Sequence, residues 1–123
     1  MSATLVLAQR PRDTRSSLVV VPFQGAGVSG RLSVAFRPGE AGVYLVGSDL
    51  PAPPQGDVYE VWMIETGTPT SGGCVTPKAD GSVLVYVDAS LGSSDTMAVT
   101  VEPSSCPEAP TTTPILTADL TAV

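Results

Sequence analysis

Apolar residues occupy every second position in one short run after another, and this alternation constrains the chain more than any other feature. In Arg31-Leu32-Ser33-Val34-Ala35-Phe36-Arg37, the residues Leu32, Val34 and Phe36 share one face, and Arg31, Ser33 and Arg37 share the other. Successive side chains of an extended strand point to opposite faces, so the pattern predicts a strand half buried in a core. Residues 82–88 repeat it with Val83, Val85 and Val87. Residues 96–102 do so with Met97, Val99 and Val101 opposed to Thr96, Ala98, Thr100 and Glu102. The run Val58-Tyr59-Glu60-Val61-Trp62-Met63-Ile64 is apolar on both faces except at Glu60, as a central strand would be. Further strands are expected at residues 4–8, 17–23, 42–47 and 115–120, with a short one near 73–76.

Turn signals separate these runs: Arg37-Pro38-Gly39-Glu40, Pro51-Ala52-Pro53-Pro54-Gln55-Gly56, Lys78-Ala79-Asp80-Gly81 and Ser104-Ser105-Cys106-Pro107. Asp80-Gly81 is the most specific, because glycine supplies the positive φ of a tight hairpin without a steric penalty. Twelve glycines and twelve prolines in 123 residues leave little room for long helices. No eleven-residue window carries a 3.6-residue stripe, and the best helical candidate, Asp88-Ala89-Ser90-Leu91-Gly92, allows one turn. Residues 107–114 read as an extended connector ahead of a last strand. The pattern predicts an all-β fold, an antiparallel β-sandwich of eight or nine short strands, in one domain over residues 1–123.

Composition removes whole classes of function. With 42% hydrophobic and 15% charged residues, the chain is not a disordered tail. Its net charge of −6 repels phosphate backbones, so no nucleic-acid partner is expected. The absence of histidine removes the commonest general base and the commonest transition-metal ligand. No enzymatic activity, catalytic residue, cofactor or metal site is expected. A serine nucleophile would have only Lys78 as a base, and no motif supports such a pair. The carboxylates Asp49, Asp57, Glu60, Glu65, Asp80, Asp88 and Asp95 form no calcium-binding loop pattern. The glycine-rich Gly25-Ala26-Gly27-Val28-Ser29-Gly30 leads into a strand, without the helix N-terminus that phosphate loops use. The longest apolar run, Leu18-Val19-Val20-Val21-Pro22-Phe23, is far short of the roughly 20 residues of a spanning helix, and the start lacks the basic region of a signal peptide. A soluble piece is expected.

Several of these runs carry a resemblance. Leu50-Pro51-Ala52-Pro53-Pro54 leading into Tyr59-Glu60-Val61-Trp62-Met63-Ile64 is similar to the "LPPLP…YQLWLI" signature of the anti-sigma-K factor RskA C-terminal family. The similarity continues through Gly73-Cys74-Val75-Thr76-Pro77, Asp80-Gly81-Ser82, Ala98-Val99-Thr100-Val101-Glu102-Pro103 and Pro114-Ile115-Leu116. It is strongest over residues 42–120. The resemblance implies the soluble outer domain of a single-pass bacterial membrane protein, on the extracytoplasmic side. The cytoplasmic part of such a protein holds an extracytoplasmic-function sigma factor, which site proteases release by stepwise cleavage. On this reading the fragment does not itself bind the sigma factor. It is a non-catalytic sensor or regulatory domain for an unknown signal or ligand. A stand-alone secreted binding or adhesion module of the same fold is the alternative, and pairing of edge strands into a dimer is open to either.

The chain departs from the family pattern where its two cysteines stand. Glu102-Pro103-Ser104-Ser105-Cys106-Pro107 replaces a common "EPxGGS", and Cys74-Val75 replaces an aliphatic or aromatic pair. In the oxidising setting that the resemblance implies, Cys74 and Cys106 are expected to form a disulfide. Trp62 and Tyr59 are read as core anchors, because aromatic burial dominates a small core. Tyr44 and Tyr86 are read as packing residues with a wet hydroxyl. Arg10, Arg12 and Arg15 gather three of the six positive charges, as a solvated loop or a spot facing an anionic membrane.

Overall fold

The computed structural model describes residues 17–25, 28–88 and 91–122. The expected strand at 4–8 and the arginine group at 10–15 lie outside these residues, as does the middle of the 88–92 turn. Eight strands are present among the described residues: β1 (Val19–Pro22), β2 (Arg31–Phe36), β3 (Val43–Ser48), β4 (Asp57–Glu65), β5 (Thr68–Val75), β6 (Val83–Val87), β7 (Thr96–Pro103) and β8 (Leu116–Asp119). A 3₁₀ turn, Leu120–Ala122, follows. The strands form two four-stranded sheets, β1-β2-β3-β6 and β5-β4-β7-β8. Every pairing is antiparallel, so the architecture is the β-sandwich that the alternation predicts.

The inward-facing residues are the alternating apolar ones. Val21, Leu32, Val34, Val43, Leu45, Val83 and Val87 from the first sheet meet Tyr59, Val61, Met63, Met97, Val99, Leu116 and Ala118 from the second. Burying each larger side chain contributes roughly 1.5–3 kcal/mol. The two sheets are also stitched at one margin. Gln24, just after β1, and Thr117 on β8 exchange two backbone hydrogen bonds of 2.7 and 2.8 Å, while the Leu50 N–H, donating to the Gly81 carbonyl at 3.0 Å, extends the β3–β6 pairing within the first sheet.

Three local expectations need correction. Asp80-Gly81 does turn the chain, with the Gly81 N–H donating to the Lys78 carbonyl, but it joins β5 to β6 across the two sheets and makes no hairpin. The two-residue hairpin is Thr66-Gly67, between paired Glu65 and Thr68. Both its residues have positive φ, 46° and 84°, the requirement of a type I′ turn, which glycine meets freely and threonine rarely does. The short strand expected near 73–76 is the end of the eight-residue β5. Its Thr-Pro-Thr-Ser start resembles loop, but β5 is a sheet edge, where proline is tolerated. Finally, β7 is buried on both faces and not half-buried: Ala98, Thr100 and Glu102, on the face away from the core, are also buried.

Candidate functional site

The outer surfaces of the two sheets are opposite in character. On the first sheet, register lines up Val20, Ala35, Tyr44 and Tyr86 in one row across four strands, and Pro22, Ser33, Val46 and Leu84 in the next. Of these, Val20, Tyr44, Val46, Leu84 and Tyr86 are exposed, Leu84 to 69%, with Leu18 beside the first row also exposed. The rings of Tyr44 and Tyr86 lie 5.2 Å apart, inclined by 56°. Together these side chains make a continuous apolar face, and the largest such patch on a typical monomer, about 300–600 Å², is often functional.

The outer surface of the second sheet is polar and sealed. Alternation along β4 puts Glu60 and Trp62 on the side opposite Tyr59, Val61 and Met63, and along β7 it puts Thr100 and Glu102 there. Glu60, Trp62 and Thr100 are fully buried, and Glu102 is 1% exposed. Over Glu102 and beside Glu60 the cover is a strap of residues 104–115 that folds back after β7. Cys106, at its near end, is bonded to Cys74 on β5, with Cα atoms 6.0 Å apart. Further along, the Thr111 N–H and hydroxyl both donate to the Glu102 carboxylate, and the Thr112 hydroxyl donates to the Val101 carbonyl at 2.8 Å.

A chain of hydrogen bonds leads up to the strap. The Trp62 indole N–H donates to Thr100 Oγ1 at 2.8 Å, and the Thr100 hydroxyl donates to Glu102 Oε2 at 2.6 Å. Burial pushes the Glu102 carboxyl up, but the hydrogen bonds from Thr100, Thr111 and Thr112 outweigh it and hold the group below its ordinary value. A buried carboxylate with several donors favours its charged form. Trp62 therefore lies buried outside the inter-sheet core, whereas Tyr59 lies within it. The Tyr59 hydroxyl donates to the Pro51 carbonyl at 2.7 Å, and burial raises its pKa.

Glu60 is the residue that sequence reasoning passed over as an exception in an apolar strand. Its Oε2 receives the Ser71 hydroxyl at 2.5 Å, while Oε1 receives no hydrogen bond from the described residues. A bulge in β5 makes this arrangement. Val61 pairs with Gly73 and Trp62 with Ser71, so Gly72 is an extra residue between them. In a regular strand Ser71 and Cys74 would point to opposite faces; one inserted residue brings both to the Glu60 side. Gly73, at φ 111°, takes the conformation that the bulge needs. The pair Gly72-Gly73 inside a strand was the available signal.

Among the described residues, the other carboxylates do not gather in threes at metal-ligand spacing. Asp80 accepts hydrogen bonds from the Ser82 hydroxyl and N–H, and Asp119 from those of Thr121, which lower both carboxyls. A cleft of about 420 Å³ at one end of the sandwich is lined by Phe36, Arg37, Glu40 and Leu120 among others. Glu40 is the one carboxylate among its described lining residues.

Comparison with known proteins agrees with the fold and the motifs. The family described as "Anti-sigma-K factor rskA, C-terminal" matches residues 1–115. Among curated relatives, the anti-sigma-K factor RskA of Mycobacterium ulcerans is 40% identical over 92 residues, 70% of this chain and 39% of the relative. That of Mycobacterium sp. (strain KMS) is 34% identical over 91 residues, 73% of this chain and 36% of the relative. A Streptomyces griseus protein described as "Uncharacterized protein in phr 5'region" is 38% identical over 74 residues, 58% of this chain and 29% of the relative. The chain thus spans less than two-fifths of the length of these relatives. No solved structure matches it. With a family match over nearly its whole length, the chain belongs to the anti-sigma-K factor RskA C-terminal family.

Proposed function

We propose that this sandwich is the extracytoplasmic regulatory domain of a membrane-anchored anti-sigma factor. In that reading the remainder of the parent protein holds an extracytoplasmic-function sigma factor, and regulated proteolysis of the parent releases it. The domain contributes contact, not catalysis. The observation that carries the reading is the family match over residues 1–115. Two features support it. A disulfide between Cys74 and Cys106 belongs with an oxidising compartment, and the bare apolar face of the first sheet suits a protein partner.

The test is made in the parent organism. Deleting residues 17–122 from the full-length gene is expected to change transcription from sigma-dependent promoters, and a reporter fused after the domain is expected to read as outside the membrane. Unchanged transcription together with a cytoplasmic reporter overturns the proposal. Pairing of edge strands between copies belongs to the same reading, and sedimentation of the chain over a concentration series tests it: a monomer at every concentration removes it.

A further inference from the structure

We propose that Glu60, Cys74 and Cys106 form a binding site for a thiophilic divalent cation once the Cys74–Cys106 bond is reduced. The carboxylate oxygen of Glu60 and the two sulfurs all lie within 4.8 Å of one another. Glu60 is fully buried, and its Oε1, the oxygen left without a hydrogen bond, belongs to the carboxylate facing the sulfurs. A buried carboxylate oxygen without a donor is costly, and a cation would satisfy it.

Three separate pieces of chain bring the donors together, and none depends on the disulfide alone. Glu60 on β4 pairs in register with Cys74 on β5. Ser71 holds the other oxygen of Glu60, which fixes the carboxylate. Cys106 ends a turn, its N–H donating to the Pro103 carbonyl at 2.9 Å, and its φ of 58° is set by that turn. The strap carrying it is pinned on one side by the Ser104 N–H donating to the Gly56 carbonyl, and on the other by Thr111 and Thr112. Breaking the sulfur–sulfur bond therefore leaves both thiols near Glu60.

Two thiolates and one carboxylate are a zinc-type donor set with a fourth position open. Soft sulfur ligands select such ions over calcium or magnesium. In the reduction, a dithiol or phosphine reductant gives two electrons to the disulfide, each sulfur takes one proton, and the reductant is oxidised. Cation entry then displaces both thiol protons to solvent. The covalent link between β5 and the strap is thereby exchanged for a coordinated one. A change of redox state would swap the tether without cutting it.

The experiment uses the whole chain, reduced anaerobically with a phosphine and titrated with Cd²⁺ and with Co²⁺. One Cd²⁺ per chain is expected, with thiolate-to-metal charge-transfer absorption, and a Co²⁺ spectrum of a tetrahedral site containing two sulfurs. The oxidised chain is expected to show neither. C74S and C106S are expected to abolish the charge-transfer band, and E60Q to weaken Cd²⁺ binding at least tenfold with both thiols still titratable. Absence of saturable one-to-one binding overturns the proposal, as does a Co²⁺ spectrum lacking sulfur ligation. An E60Q variant that folds and binds like the parent removes Glu60 from the site and overturns it equally.

Discussion

The first sheet turns Val20, Tyr44, Val46, Leu84 and Tyr86 to solvent, while the second turns Glu60, Thr100 and Glu102 away from it. Judged by residue type alone the two exteriors are exchanged. The difference lies in connectivity. After β7 the chain runs back over its own sheet before entering β8, and it is held there by Cys106, Thr111 and Thr112. No such return follows β3 or β6, so the first sheet's outer face is left uncovered among the described residues. Burial of Glu102 on the second sheet thus comes from a strap that brings its own hydrogen-bond donors, which is what lets a carboxylate sit beneath it at all. On the first sheet the apolar side chains have no such cover among the described residues.

Substitutions on the two exteriors should therefore differ sharply in consequence. The largest effect is expected for Trp62→Ala, which removes the biggest fully buried side chain and its bond to Thr100. Urea denaturation should show a loss of about 3–5 kcal/mol. Next comes the double replacement C74S/C106S. It opens a link between residues 32 apart in sequence and should cost about 3–4 kcal/mol through the entropy of the unfolded chain, read by the same denaturation series. A loss below 1 kcal/mol would mean that the hydrogen bonds of Thr111 and Thr112 hold the strap without the covalent bond.

Glu102→Gln should cost about 1–3 kcal/mol, because the donors of Thr100 and Thr111 lose a charged acceptor. Its pH signature sharpens the contrast. Glu102 has its folded pKa lowered, so its contribution is fully present above the ordinary glutamate value, about 4.3, and is lost as pH falls through the lower folded value. The parent chain should lose stability on this acid limb, and Glu102→Gln should lose less; parallel limbs would place the titration elsewhere. The smallest effect on stability is expected on the first sheet. Leu84→Ser should stay within about 0.5 kcal/mol while reducing binding of a hydrophobic dye and any self-association seen by sedimentation. A large loss of stability there would show that the face is covered by the chain itself.

The sandwich was legible because its core obeys the alternation: Leu32 and Val34, Val83 and Val87, Met97 and Val99 all turn inward where the period of two puts them. The disulfide followed from the resemblance and the compartment it implies. The sealed exterior was not legible. Thr96, Ala98, Thr100 and Glu102 carry the ordinary signature of a solvent face, and over Glu102 a strap bound through contacts nine or more residues away in sequence reverses it. The bulge at Gly72 was hidden for a related reason. Two glycines mark a place where a strand can gain a residue, but the partner strand decides whether it does. The bare face of the first sheet could be read residue by residue, yet its continuity depends on the register of four strands.

The exchange of hydrogen bonds between Gln24 and Thr117 has a mechanical consequence. It gathers the incoming and outgoing stretches of the described chain at one corner, so a pull between them loads those two bonds first. Once they give, β8 can peel from β7. The segment between Cys74 and Cys106 cannot then pay out, because its ends are joined covalently. Roughly 110 Å of contour, at about 3.3–3.6 Å per residue, stays withheld until the sulfur–sulfur bond is broken. Under tension the oxidised protein should extend in a truncated step, and its reduced form in a longer one.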